Sequence, residues 1–344
     1  MFACHKILIA HLASIAHRHF ISSALFKIAM GILMRLVAAS AAVLATVSAN
    51  VFGTNDPIPV RTGVCNVLAL SGGGAFGAVQ MGVLDGLTAT GQAPTSYDII
   101  TGISAGGLNA AFLSYYTNVS QALPDIYQTL TGLTNADVYE SAILKILTEW
   151  SYYSTAPLEA TLTSVLGSKQ PLAAGGPMTL IGASNVLTHQ LDVWHFDRLV
   201  LADRIPVLMS TSAIPLVFPP QTVNGSLYVD GGLISNELIH QAIGQLACDS
   251  YEVVFISAGD HTAMTRPMPT GLFSYMGAVV SLLVDTFDYQ LAQVTNCSYP
   301  RGTLQACFPT SPSLGSYSIL DFDYGAELYA LGRESYSCQK MPLC

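Results

Sequence analysis

The sequence predicts an α/β fold in which strands of a central sheet alternate with helices. Short apolar runs of strand length end in glycine-rich turns and pass into segments with apolar residues at helical spacing. This strand–turn–helix order occurs at Val64–Leu87 and again at Tyr97–Phe112, which favours an α/β sheet over separate helical and strand domains. Composition agrees: 51% of the 344 residues are apolar and only 10% are charged, ample material for one large core.

Taken in order, Val64–Ser71 reads as a strand that runs into three glycines, and Ala75–Leu87 as a helix carrying Val79, Val83, Leu84 and Leu87 on one side. Tyr97–Thr101 is the next strand, followed by Gly102 and a helix of small residues with Leu108, Ala111 and Phe112. Gln121–Val165 reads as helices with polar joints at Thr131–Asn135 and Tyr152–Pro157. Met178–Ser184 and Leu191–Phe196 are strands joined by a turn around Asn185–Thr188. Arg198–Ser212 is a helix that Pro206 either breaks or starts. Leu227–Val229 and Val253–Ser257 are further strands, with Glu237–Ala247 helical between them. Phe273–Val284, very apolar but too short to span a bilayer, reads as a core helix rather than an interfacial one. Trp150 and Trp194 read as core anchors, and Tyr115-Tyr116 and Tyr152-Tyr153 as packing residues that would otherwise line an apolar pocket.

Residues 1–49 stand apart from 50–344, which read as a single domain. The first 49 contain Lys6, Arg18, Lys27 and Arg35 but no acidic residue. From Met34 a short basic start leads into an apolar run and Val47-Ser48-Ala49, whose small residues suit cleavage after Ala49. The expectation is a secretory signal, with translation starting at Met30 or Met34, and a secreted or lumenal product. An N-terminal membrane anchor over Phe20–Val47 is the alternative, weakened by its interrupting His, Lys and Arg. Four histidines here (His5, His11, His17, His19) match metal-binding spacing only superficially.

Seven cysteines include Cys4 in the leader, leaving Cys65, Cys248, Cys297, Cys307, Cys338 and Cys344, an even set suited to an oxidising compartment. Those beyond position 290 predict a C-terminal segment stapled by disulfides rather than packed on a large core. Asn118, Asn224 and Asn296 each open an Asn-x-Ser sequon, the pattern of a glycoprotein. Without the leader, nine basic residues stand against 22 acidic ones, a net −13. Such a balance argues against nucleic acid and against attraction to anionic membranes.

Three turns carry chemistry. Gly102-Ile103-Ser104-Ala105-Gly106 lies between a strand and a helix, where glycines on both sides permit the tight turn that exposes a nucleophilic serine. Gly72-Gly73-Gly74-Ala75-Phe76-Gly77 occupies an equivalent place and offers backbone N–H groups to a developing negative oxygen. Its spacing also fits a dinucleotide loop, but the acidic residue expected about twenty positions on is absent, Asp98 being the nearest. Asp230-Gly231-Gly232 ends a strand and places a carboxylate where an open site would find it. By chain order a Ser-His-Asp arrangement using His240 or His261 is also permitted; His261, after a strand end, suits it better than His240 inside a helix.

Together these turns, with Ser212-Ala213-Ile214-Pro215-Leu216-Val217-Phe218-Pro219-Pro220 and Asn236, resemble the patatin-like phospholipase family over about Asn66–Asp260. The resemblance implies a three-layer α/β/α sandwich with a mostly parallel central sheet. It implies Ser104 as nucleophile, Asp230 as base without a histidine, and an oxyanion hole from Gly73 and Gly74 with help from Gly72 and Ala75. It implies cleavage of fatty acyl esters through an acyl-serine intermediate, at a transient membrane or micelle surface, with no metal or cofactor. Phe76 departs from the pattern, since the family often has Lys or Arg there; this tilts the expected substrate from phospholipids toward neutral esters such as galactolipids, acylglycerols or lysolipids. A non-catalytic lipid- or partner-binding protein on the same fold would have lost the serine or the aspartate, and neither is lost. A storage protein with residual esterase activity is a third reading, on which the sequence is silent.

Overall fold

The computed structural model describes residues 49–52, 57–142, 150–167, 175–259 and 301–343. Phe273–Val284, His261, Asn296, Cys297, Cys344 and residues 1–48 of the leader lie outside them. The described elements belong to one compact unit that begins at Ser48.

Residues with strand propensity and apolar side chains on both faces build the middle of a sheet. β2 (Val60–Leu70), β3 (Ile99–Ile103), β6 (Met178–Asn185), β10 (Ala247–Ile256) and β11 (Gly302–Pro309) run parallel in the order β6-β3-β2-β10-β11. β7 (Gln190–His195) adds antiparallel beyond β6, with β1 (Ala49–Phe52) along its outer side, and β12 (Tyr336–Leu343) closes the other edge antiparallel to β11. A hairpin of β8 (Gln221–Val223) and β9 (Ser226–Asp230) joins through β9 to β6. The arrangement is the expected α/β/α sandwich with a largely parallel sheet.

Alternation of side chains divides the core in two. Leu68, Leu70, Val254 and Ile256 face one layer, packed with α1 (Gly77–Ala89), α2 (Ala105–Leu113), α3 (Val119–Gly132) and α5 (Leu201–Thr211). Val67, Ala69, Val253 and Phe255 face the other, where Ile239, Ala242 and Ile243 of α6 (Ile239–Gln245) pack. The helix called between Arg198 and Ser212 neither breaks nor starts at Pro206: α5 runs through it. The amide that Pro206 lacks would have met the carbonyl of exposed Ala202, which water can satisfy. At the predicted turn after β6, Asn185 Oδ1 accepts from the N–H groups of Leu187 (2.9 Å) and Thr188 (3.1 Å).

Three further expectations need correction. The stretch read as helices with joints contains a small antiparallel pair, β4 (Glu140–Ser141) with β5 (Tyr153–Ser154), before the short α4 (Ala156–Leu162). The C-terminal segment is packed as well as stapled: β11 extends the main sheet, and α7 (Gly325–Glu334) lies so close on α1 that a Cβ at Gly332 would sit 2.0 Å from Val79 O. Trp150 is not a core residue. It is 61% exposed, with the left-handed backbone (φ 55°) that bulky residues rarely adopt, whereas Trp194 is buried against Tyr228. Beside Trp150, Leu216 repeats both features, at 67% exposure and φ 68°. The segments are tied by the Ser151–Leu216 bridge and by Tyr152 N–H donating to Leu216 O (2.9 Å).

Cys65–Cys248 joins β2 to β10, and Cys307–Cys338 joins directly opposed residues of β11 and β12. The first closes a separation of 183 residues and the second one of 31, so loop entropy assigns the larger stabilisation to the first. We expect the Cys65→Ala/Cys248→Ala pair to lose roughly 2–5 kcal/mol in urea denaturation, more than the Cys307→Ala/Cys338→Ala pair.

Candidate active site

The register of the sheet gathers the three turns. Leu70 pairs with Gly102, so the chain after β2 runs beside the end of β3. On the far side of β3, Ile103 pairs with Gly182 of β6, and the next residue, Ala183, pairs with Asp230 of β9. Gly72, Ser104 and Asp230 therefore meet at the carboxyl ends of the parallel strands, where α/β sheets place their ligand crevices. A Cβ built on Gly72 would lie 2.9 Å from Ser104 Cβ.

Ser104 occupies a strained elbow, φ 53° and ψ −126°, between β3 and α2. Such backbone costs on the order of 1–3 kcal/mol and persists only where neighbours enforce it. A Cβ on Gly102 would come 2.1 Å from Gly106 O, and one on Gly106 would come 2.4 Å from the carbonyl oxygens of Leu70 and Ser71, so the turn closes only with glycine at both ends. Thr211 holds the elbow from the last residue of α5. Its Oγ1 accepts the Ser104 N–H (2.8 Å) and donates to Gly182 O (2.6 Å).

Asp230 is buried, 7% exposed, at the end of β9. Its N–H donates to Ala213 O (2.9 Å), and its Oδ1 accepts the Gly232 N–H (2.8 Å). The Ser104 hydroxyl lies close enough to its carboxylate to favour the charged form. Burial raises its pKa from 3.8 to about 6, and the nearby Ser104 hydroxyl and the Gly232 amide restrain that rise.

In the glycine loop, two of the four expected donors are engaged elsewhere. Gly72 N–H donates to Oδ1 of buried Asn236 (2.8 Å), and Ala75 N–H donates to Ile319 O (2.8 Å). The N–H groups of Gly73 and Gly74 donate to no described residue. Gly74 has φ 58°, and a Cβ there would lie 2.1 Å from Ile319 O, so the loop is pressed against a backbone carbonyl supplied from near the C-terminus. Phe76 is buried in the core and brings no charge to the loop.

Sequence reasoning missed the polar braces. Gln80, fully buried on α1, donates from Nε2 to Ile256 O (2.8 Å) and Ser71 O (3.2 Å). Asn109 of α2 donates to Gln80 Oε1 and to Gly77 O, both at 3.1 Å. These amides tie the strand ends to the helices behind the two glycine turns. Buried amides inside apolar helices are the signal that marks them. Among the described residues, His189, His195 and His240 make no hydrogen bond to Ser104 or Asp230; His195 pairs with Gln245 (3.0 Å), and His240 is exposed on α6. His261 is outside the described residues.

A three-layer α/β sandwich with an elbow serine, a strand-end carboxylate and a glycine loop defines a class of serine hydrolase scaffold. The chain belongs to the patatin-like phospholipase family, whose model matches residues 68–243, just over half the chain. That membership supports a lipid-hydrolase function in general. No curated protein matches the sequence. Among solved structures, VipD from Legionella pneumophila aligns at 14% identity and a TM-score of 0.37, covering 80% of this chain and 68% of that one. The human GIVD cytosolic phospholipase A2 in complex with methyl gamma-linolenyl fluorophosphonate aligns at 12% identity and 0.38, covering 80% and 57%. ExoU, in its complex with SpcU from Pseudomonas aeruginosa, aligns at 16% and 0.31, covering 83% and 54%. The chain thus spans little more than half the length of the latter two.

The raised Asp230 pKa fixes the sign of a linkage. Between the unfolded value near 3.8 and the folded value near 6 the native state holds the proton more tightly, so this group's contribution to stability is full below pH 3.8 and lost as pH rises through 6. Asp230→Asn should therefore stabilise the fold at pH 8 by up to about 3 kcal/mol, a gain that shrinks toward pH 4. Urea denaturation at the two pH values measures it.

Proposed function

We propose that the protein is a lipid acyl hydrolase that cleaves fatty acyl esters with Ser104 as nucleophile and Asp230 as base. The observation that carries the reading is the elbow serine, Ser104, set close to the buried Asp230 carboxylate, beside two N–H groups, of Gly73 and Gly74, that no described residue occupies. A pKa near 6 leaves Asp230 ionised at neutral pH yet more basic than an ordinary aspartate. In the first step Asp230 takes the hydroxyl proton as Ser104 Oγ bonds to the ester carbonyl carbon. The carbonyl electron pair moves to its oxygen, which accepts from Gly73 and Gly74 N–H. Collapse restores the carbonyl and expels the alcohol, protonated by Asp230, leaving acyl-Ser104. Water then attacks with the same base, releasing the fatty acid and the free serine. Neutral esters are the favoured substrates, since Phe76 replaces the expected cation with a buried ring.

A fluorophosphonate probe tests the reading. It should label Ser104 in the parent chain and fail to label Ser104→Ala, with Asp230→Asn slowed at least roughly a thousandfold and parent hydrolysis falling below about pH 6. Full labelling of Asp230→Asn together with an inert His261→Ala would replace the dyad with a histidine triad.

We further propose that the protein is secreted and cut after Ala49, a reading supported by its two described disulfides. The cut falls at the first residue of β1 and leaves Asn50–Phe52 to pair with β7. Asn118 and exposed Asn224 are its described glycan acceptors. N-terminal sequencing of protein from the medium should begin at Asn50, and glycosidase treatment should lower its mass.

A further inference from the structure

Trp150 and Leu216 present two large apolar side chains to solvent at 61% and 67% exposure, each on a left-handed backbone. Bulky residues almost never hold that conformation, and such outliers cluster where function demands them. The Ser151–Leu216 bridge keeps them together. They also adjoin the site. Leu216 is three residues from Ala213, whose carbonyl receives the Asp230 N–H, which puts it within about 11 Å of that contact by chain length alone. Leu233, three residues beyond Asp230, is itself 38% exposed.

Chemistry narrows the partner. Trp150–Leu158 and Ile205–Val229 contain no charged residue, and the chain as a whole carries −9. Anionic surfaces are disfavoured, the more so because Glu149 directly precedes Trp150, and the segments themselves bring no charge that must be stripped of water when they meet an uncharged surface. The indole of Trp150 has one polar edge, and aromatic residues of that kind favour the boundary between lipid headgroups and acyl chains.

We propose that Trp150 and Leu216 form the anchor by which the protein seats on a zwitterionic or uncharged lipid surface, beside the Ser104–Asp230 site. The proposal rests on the lipid-hydrolase reading, for which it names the docking face.

The chain has two tryptophans, so Trp194→Phe in the full-length protein leaves Trp150 as the sole reporter. Titrated with phosphatidylcholine vesicles, its emission should shift to the blue, and acyl-chain-brominated phosphatidylcholine should quench it. Trp150→Gly and Leu216→Gly suit the left-handed backbone, so each should fold with unchanged or raised Tm. Each should also weaken vesicle binding in sedimentation by roughly tenfold or more, while hydrolysis of soluble p-nitrophenyl butyrate stays within about twofold. Unshifted, unquenched Trp150 emission, or vesicle binding unchanged in both glycine variants, overturns the anchor; if butyrate hydrolysis persists, the hydrolase reading survives. A chain that binds through Trp150 and cleaves no ester upholds the anchor and overturns the hydrolase reading.

Discussion

Everything at the centre of this molecule depends on the register between β2, β3, β6 and β9. Backbone hydrogen bonds set which residues stand abreast, and here they align Leu70 with Gly102, Ile103 with Gly182 and Ala183 with Asp230. The contacts beyond those rungs leave no room for a side chain at Gly102 or Gly106, so a one-residue slip would place a Cβ inside a carbonyl oxygen. Sheet pairing is in this sense the positional control of the site, and the helices behind it act as braces.

Two opposing demands meet at Asp230. Burial favours the neutral acid, while the Ser104 hydroxyl and the Gly232 amide favour the carboxylate, and the balance settles near pH 6. The amides around it are managed in the same way. Asn236 takes Gly72 N–H and Ile319 O takes Ala75 N–H, which leaves the two amides between them without a partner among the described residues. Fixing the ends of the loop keeps its middle open without a long flexible segment whose ordering would cost entropy.

The turns were legible in the sequence because their constraint is local: close backbone approach demands glycine, and Gly72–Gly77, Gly102–Gly106 and Asp230–Gly232 say so within a few residues. The α/β character of the sheet followed from the alternation of strands and helices, and its mostly parallel order from the family resemblance. The supports were not legible. Thr211 and Gln80 act across separations of 107 and 176 residues, and the part played by Ile319 comes from a carbonyl that every residue has. Trp150 was misplaced because apolar side chains are inside by default, and only its exposure in the folded chain shows otherwise. The β4–β5 pair escaped notice because two-residue strands are too short for any periodicity.

The loop's dependence on Ile319 also governs when the protein can become competent during its synthesis. β2 lies between β3 and β10, and the carbonyl that holds Ala75 comes from position 319 of 344. A nascent chain that has emerged only through Asp230 carries all three turns yet lacks a neighbour for one side of β2 and the clasp for the glycine loop. The centre therefore closes only once Ile319 has joined it, and a half-made chain has its serine in hand but no frame to hold it.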